Sequence, residues 1–294
     1  MISLLSRQLF VVCFFLCLSF STHAQKLKIA QEHTDLSPFN LLIQVLEKAL
    51  AQHTENAHLY WVDSSDLVQA RALTRLESCD APFDIYFSGY DANREERLLQ
   101  VEVPLTLGLL GARGFVTTKT QQQTLQATHP QEWIIGSGLG WPDTAIMLSE
   151  GYQVSQAPYE NLWKMLETER IQVFQRGLQE AQLEIAQLGD QFVLIERTVM
   201  LYPLASFLYV SPCRPDLHRL LEETLIKSHQ SGQTQATIRS DPQAAYALSL
   251  LSDPNVEHLI LSNPLVSDPF IALAQNYFLK EIRALLWPEK DFNN

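Results

Sequence analysis

The stretch Phe83–Phe115, FDIYFSGYDANREERLLQVEVPLTLGLLGARGF, decides the fold. Its first part, Phe83-Asp84-Ile85-Tyr86-Phe87, is aromatic and β-branched and closes at Ser88-Gly89. The charged turn Asp91–Arg97 follows, which is the pattern of a buried strand ending at a polar rim. Beyond it an extended apolar run is punctuated by Pro104, Gly108, Gly111 and Gly114. That spacing suits a backbone that must bend as it leaves one unit for another, and does not suit a regular helix.

Working outward, the segments before this stretch alternate strand and helix. Leu27–Ala30 reads as a strand, and Ser37-Pro38 caps a helix whose apolar face is Phe39, Leu42, Ile43, Leu46 and Leu50. Leu59–Val62 is a second strand, Ser64-Ser65-Asp66 a cap, and Leu67–Leu76 a second amphipathic helix. After the connector the rhythm restarts. Strands are expected at Trp133–Gly136, Tyr152–Val154 and Ile171–Phe174, and helices at Pro142–Ser149, Tyr159–Leu166 and Leu178–Leu188. Phe192–Tyr202 is extended and ends at Pro203, Phe207–Val210 is a further strand, and Leu217–Lys227 a helix. Strands alternating with helices imply mainly parallel sheets. The expected fold class is therefore α/β, two lobes each with a mainly parallel sheet flanked by helices and joined by two crossover segments. The expected domains are 25–110 with 205–294 as lobe one, and 111–204 as lobe two; the tail from Asp241, helical over Ile271–Leu286, is expected to pack on lobe one.

Residues 1–24 read as an export leader: Arg7, the apolar run Leu9–Phe20, then Thr22-His23-Ala24 as a cleavage site. The apolar run is short of the roughly 20 residues that span a bilayer. Neither Cys13 nor Cys17 has the small residues that precede a lipidated cysteine. Removing this segment, which carries one basic residue and no acid, leaves 270 residues with 20 basic and 33 acidic side chains, a net charge of -13. Such a surface repels phosphate backbones and anionic lipid heads, which argues against nucleic-acid partners and direct membrane insertion or adsorption. Only Cys79 and Cys213 remain after the leader; an oxidising compartment permits a disulfide, and two buried thiols are the alternative.

Several segments carry a family resemblance. The turn Asn93-Arg94-Glu95-Glu96-Arg97 followed by Val101–Leu105 resembles the segment leading into the cleft of type II periplasmic substrate-binding proteins, the solute-binding family 3. The likeness extends from about Leu27 to Gly232. Gly138–Thr144 with its Trp-Pro-Asp-Thr run, Val173–Gly177 with Glu180, Tyr202-Pro203 and the tail motif Ser262-Asn263-Pro264-Leu265 are similar to a stand-alone branch whose ligands are generally unassigned. The resemblance implies a periplasmic, monomeric protein that closes on a small solute by hinge motion near Leu107–Gly114 and Val199–Ser206. Its partner would be an ABC-type permease or a membrane sensor. In amino-acid receptors of the family an acidic residue follows a late lobe-two strand, where this chain has Gln175 and Arg176; a simple α-amino acid is thereby disfavoured.

The candidate ligand-binding residues are Arg113, Trp141, Asp143, Arg176, Glu180 and Tyr202. Arg113 lies at the first crossing, where a guanidinium grips a carboxylate or forms a hinge ion pair. Arg176 follows an apolar strand and precedes Gly177, at a strand's carboxyl end where ligands sit. Trp141 is a stacking platform or a packing anchor. Asp143 is a helix-capping carboxylate or a donor-binding group, and exposed N–H groups of the Gly136–Gly140 loop offer an anion seat whose glycine spacing is not that of a dinucleotide site. Glu180 and Glu184 share a helix face; Glu180 is near enough to pair with Arg176, and Glu184 reads as solvated. Tyr202 serves hinge packing or ligand contact. Two arginines against one carboxylate imply an anionic or zwitterionic ligand.

No G-x-S-x-G, H-E-x-x-H or Walker loop is present, and His33, His53, His58, His129, His218, His229 and His258 have no metal spacing. The expectation is a binding protein without cofactor, metal or catalytic residues. An accessory envelope signalling protein on the same fold, without transport, is the alternative, and a hydrolase or lyase on this fold is the third reading.

Overall fold

The computed structural model describes residues 25–31, 39–54 and 57–289. The expected leader over 1–24 and the Ser37-Pro38 cap lie outside them.

Two sheets organise the chain. The first is built from β1 (Gln25–Gln31), β2 (Ala57–Asp63), β3 (Ile85–Gly89), β4 (Leu99–Gln100) and β10 (Ser206–Val210), in the order β2-β1-β3-β10-β4. The second holds β5 (Ala112–Thr118), β6 (Ile134–Gly138), β7 (Gln153–Ala157), β8 (Val173–Gly177), β9 (Phe192–Leu201) and β11 (Glu257–Ile260), in the order β11-β9-β5-β8-β6-β7. Within each sheet the β-α-β units pair in parallel: β1 with β2 and β3, and β6 with β7 and β8. The antiparallel pairs are made by strands that arrive through a crossing, β10 against β3 and β4, and β5 against β8 and β9. Central strands β5, β8 and β10 are buried at every position, whereas edge strand β2 alternates, as strands covered on both faces or one face must.

The helices α1 (Asn40–His53) and α2 (Gln69–Glu77) cover the first sheet with Leu42, Val45, Leu46, Ala49, Leu73 and Leu76 buried. The charged turn expected after β3 is a short helix, α3 (Ala92–Arg97), started by Asp91, whose carboxylate accepts from the Asn93 N–H. The second sheet carries α4 (Gln122–Leu125), α5 (Pro142–Ser149), α6 (Tyr159–Glu167) and α7 (Leu178–Leu188). Pro142 occupies the first turn of α5, where its missing N–H costs nothing.

The first crossing runs through Leu107 and Gly108, both at positive φ (47° and 91°). A Cβ on Gly108 would lie 2.5 Å from the Phe278 ring, so glycine is required there twice over. The second crossing, 202–205, lies against the first: the Tyr202 N–H donates to the Gly111 carbonyl at 3.2 Å.

The tail departs from its expected place on lobe one. Helices α8 (Pro215–Gln230) and α9 (Gln233–Ser240) do pack on α1, but α10 (Pro242–Ser252) packs on α7, and β11 pairs in parallel with β9, Glu257 opposite Thr198 and Ile260 opposite Leu201. The chain then returns to the first lobe with α11 (Asp268–Tyr277), whose Phe270 stacks 4.1 Å from Tyr90, and ends in α12 (Lys280–Leu286). The physical reason is the open edge of β9, which a four-residue strand from the tail satisfies.

Cys79 and Cys213 form a disulfide with Cα atoms 6.1 Å apart, which settles the open pairing. It joins the end of α2 to the loop after β10, so the closed loop encloses β3–β10.

Candidate functional site: a cleft between the lobes

A cavity of about 520 Å³ opens between the sheets. From the first lobe it is lined by Phe39, Ser65, Gln69, Phe87 and Ser88; from the second by Arg113, Trp141, Asp143, Tyr159, Trp163, Arg176, Glu180 and Glu184; and at the crossings by Leu110, Leu204 and Ser206. Five of the six residues expected from sequence line it: Arg113, Trp141, Asp143, Arg176 and Glu180. Tyr202, the sixth, stands directly behind, bonded to two of them.

The antiparallel register of β5 and β8 sets Arg113 opposite Gly177 and Arg176 opposite Gly114, so the two arginines lie one register step apart on adjacent strands; β5 is irregular against β9 between Arg113 and Phe115, and both arginines line the cavity. Each is already paired. Arg113 Nη2 reaches Asp143 Oδ1 at 2.6 Å, and Arg113 Nε donates to the Tyr202 hydroxyl at 3.2 Å. Tyr202 in turn donates to Asp143 Oδ1 at 2.5 Å, closing a three-residue ring at the base of the cleft. Arg176 binds Glu184 side-on, Nε to Oε2 at 2.6 Å and Nη2 to Oε1 at 2.6 Å, and also reaches Glu180 Oε2 at 2.8 Å. Its guanidinium carbon sits 5.2 Å from the Trp141 ring centre and 5.3 Å from those of Tyr159 and Phe174, a cation held against aromatic faces. The Tyr159 hydroxyl donates to Glu184 Oε1 at 2.8 Å.

Glu184 therefore departs from its expected solvated position: its side chain is 1% exposed. Glu184 lies three residues after buried Ala181 on the inward stripe of α7, and Arg176 compensates the charge that this stripe buries. The expected balance of two arginines against one carboxylate changes with it. The buried cluster contains two guanidiniums and three acids, each with at most 7% of its side chain exposed, so the acids outnumber the guanidiniums by one.

Burial opposes the charge of Arg176, but Glu184 and Glu180 outweigh it, and the guanidinium is held more firmly protonated than in water. The same contest, with Asp143 first among the supporting charges, raises Arg113. Burial pushes the Glu180 carboxyl above its ordinary range against the opposing pull of Arg176 and Arg113, and Glu184 and Asp143 add to the rise. Burial also lifts the Tyr202 phenol well above the ordinary value, with Asp143 reinforcing it, so this hydroxyl stays a donor.

The first-lobe wall is organised by Arg94, which the sequence reading placed in a turn without a role. Its Nη1 donates to Ser88 Oγ and to the Gly89 carbonyl, both at 2.7 Å, and its Nη2 donates to Gln69 Oε1 at 3.0 Å. It thus ties the carboxyl end of β3 to the start of α2. Tyr159 and Trp163 were not singled out either; their i, i+4 spacing on α6 marks a common face. Asp143 stands in the first turn of α5, after the Gly136–Gly140 loop, with its carboxylate on Arg113 and Tyr202. Among the described residues no group of three or more His, Cys, Asp or Glu is placed to hold a metal ion, and no helix is long and apolar enough to cross a membrane.

No family model and no curated protein matches the chain. Solved structures do match in fold. An ancestral arginine-binding protein bound to arginine superposes with a TM-score of 0.53 at 12% identity, over 75% of this chain and 100% of that one. An amino acid ABC transporter substrate-binding protein from Streptococcus pneumoniae, bound to L-arginine, gives 0.53 at 14% identity over 75% and 94%. An ancestral amino acid-binding protein that is a precursor of cyclohexadienyl dehydratase gives 0.52 at 14% identity over 74% and 95%. The chain thus has the two-lobed architecture of type II periplasmic binding proteins, and binding proteins predominate among these neighbours.

Proposed function

We propose that this is an exported solute-binding protein that holds a small solute between its lobes on behalf of an ABC-type importer or a membrane sensor. The observation that carries the reading is the interlobe cavity, of a size typical for small-molecule sites and lined from both lobes by aromatic rings and a few fixed polar groups. A solute touching both lobes favours the arrangement in which they are together, and that arrangement is what a partner reads. Export to the periplasm rests on the leader pattern of residues 1–24 and on the disulfide, which needs an oxidising compartment.

Of the two ligand classes, a zwitterion fits better than a plain anion. The cluster facing the cavity already has one carboxylate too many, and a ligand's cationic group relieves that excess where a second anion aggravates it. The aromatic wall of Trp141, Tyr159 and Trp163 accepts an apolar or cationic body. We read the role as binding without turnover, because both arginines and all three cluster acids are held to one another in ion pairs.

The test is native mass spectrometry of the purified protein, followed by thermal-shift titration with amino acids, amines and mono- and dicarboxylates. A ligand at about 100 times its Kd adds about 2.7 kcal/mol of stability, readily seen as a raised midpoint. The same solute must be recovered chemically unchanged, and Trp141→Ala must weaken it. A panel in which no solute raises the midpoint, or in which Trp141→Ala binds as well as the native chain, refutes the proposal.

A further inference from the structure

The tail motif Ser262-Asn263-Pro264-Leu265 has no part in the cleft described above, yet it touches the place on which the cleft depends. We propose that Asn263 is a positioning residue: it fixes the second crossing between the lobes and, through Tyr202, seats the Arg113–Asp143 pair at the base of the cleft.

The path is explicit. After β11 the Leu261 N–H donates to the Leu201 carbonyl at 2.9 Å, extending the β9 pairing to the last residue before the crossing. Ser262 N–H donates to Glu150 Oε1 of the second lobe at 3.0 Å. Asn263, 8% exposed, then donates through Nδ2 to the Pro203 carbonyl at 2.7 Å and accepts the Leu265 N–H on Oδ1 at 2.9 Å. Two residues further, Ser267 Oγ accepts from the Tyr90 hydroxyl of the first lobe at 2.8 Å, and its own hydroxyl reaches Glu95. Six residues of tail therefore take hold of the second lobe, the crossing and the first lobe in turn.

Pro203 makes this grip necessary. It has no N–H, so it contributes nothing to a ladder, and its carbonyl needs an outside donor once buried. Asn263 supplies it. Immediately before, Tyr202 is fixed by its N–H to Gly111 and by its hydroxyl to Arg113 and Asp143. First crossing, second crossing and tail thus lie side by side, and a displaced Pro203 moves the ring that meets both an arginine and an aspartate of the site. The tail also grips the first crossing, through Leu279 N–H to the Leu107 carbonyl at 3.0 Å and Phe278 against Gly108. The lobes are joined by four passes of chain where two were expected, and the added passes restrain how far they swing.

The proposal goes beyond solute binding, and its test needs no solute, so the two fail separately. Spin labels are placed at Val68 and Leu139, exposed positions beside the cleft-lining Gln69 and Trp141 on opposite lobes. In the full-length protein the interlobe distance distribution is expected to be single and narrow. Asn263→Asp keeps the acceptor for Leu265 but turns the donor toward Pro203 into an oxygen. It is expected to populate a second interlobe distance by a shift of about tenfold, and to speed amide exchange at Tyr202. Asn263→Ala, which removes both bonds, is expected to do the same. Distances and Tyr202 exchange that match the native protein in both variants, even with a lowered thermal midpoint, assign Asn263 a merely structural role and overturn the proposal. So does a native protein that already samples two interlobe distances equally.

Discussion

Replacing Arg176 by methionine leaves Glu184 and Glu180 buried without the cation that all three of its N–H bonds serve. Methionine fills the space against Trp141, Tyr159 and Phe174, so the loss is electrostatic and not a cavity. Removing one partner of a buried pair costs about 3–5 kcal/mol, which at roughly 2–4 °C per kcal/mol lowers the thermal midpoint by about 6–20 °C near pH 8. The deficit must depend on pH in one direction. Glu180 already has a raised carboxyl, and without Arg176 its pKa rises further. Its folded-state value then lies above the unfolded one, so the folded variant retains a proton that the unfolded chain gives up. Its stability is lost as pH rises from the unfolded value through the folded one, and regained as pH falls. Thermal unfolding of native and Arg176→Met proteins from pH 5 to 8 reads this directly, with Arg176→Met/Glu180→Gln/Glu184→Gln as the neutral control. The midpoint gap should be widest at pH 8, narrow toward pH 5, and be largely absent in the triple variant. A gap that stays constant with pH, or a triple variant as unstable as the single one, refutes the charge-burial account.

Reducing the Cys79–Cys213 bridge, or replacing both residues by serine, opens a loop of 134 residues and should cost about 5 kcal/mol, seen as a lower urea midpoint with and without reductant; equal midpoints refute it. Tyr202→Phe removes the hydroxyl shared by Arg113 and Asp143 and should cost about 1–3 kcal/mol in chemical denaturation, with weaker binding of whichever solute the screen identifies. Gly111→Ala places a Cβ 2.0 Å from the Tyr202 carbonyl oxygen, a backbone clash that should prevent the crossings from closing. Gly140→Ala, with φ +77° and open space around it, should cost only about 1 kcal/mol; circular dichroism melts showing the reverse order refute the crossing geometry.

The α/β rhythm was legible because the buried strands are unbroken apolar runs and the helices have one-sided apolar spacing. The stretch from Phe83 carried most of that information: β3, the polar rim and the glycines at the first crossing all lie where their chemistry places them. The tail was not legible for a different reason. Glu257-His258-Leu259-Ile260 is four residues of mixed polarity, and nothing within it names β9, some 60 residues upstream, as its partner. Strand pairing at that distance is chosen by which edge is open, and edges exist only in the assembled fold. The disulfide was undetermined on the same grounds, since spacing does not supply a Cα separation.

At the site, residue types were easier to find than their balance. Arg113 and Arg176 stand out in a sequence because each sits beside a glycine at the end of an apolar run, whereas the acids that answer them, Asp143, Glu180 and Glu184, look like ordinary helix-face and capping residues. Counting arginines therefore overstates the positive field in the cleft. Once each guanidinium is bound directly to its own acid, its charge is spent inside the protein, and a ligand meets only what the pairs leave over. That remainder centres on Glu180, the third acid beside two guanidiniums, whose carboxyl burial pushes above its ordinary range. On the proposed reading, a solute is selected less by any single arginine than by a cationic group that meets the third acid inside the aromatic enclosure.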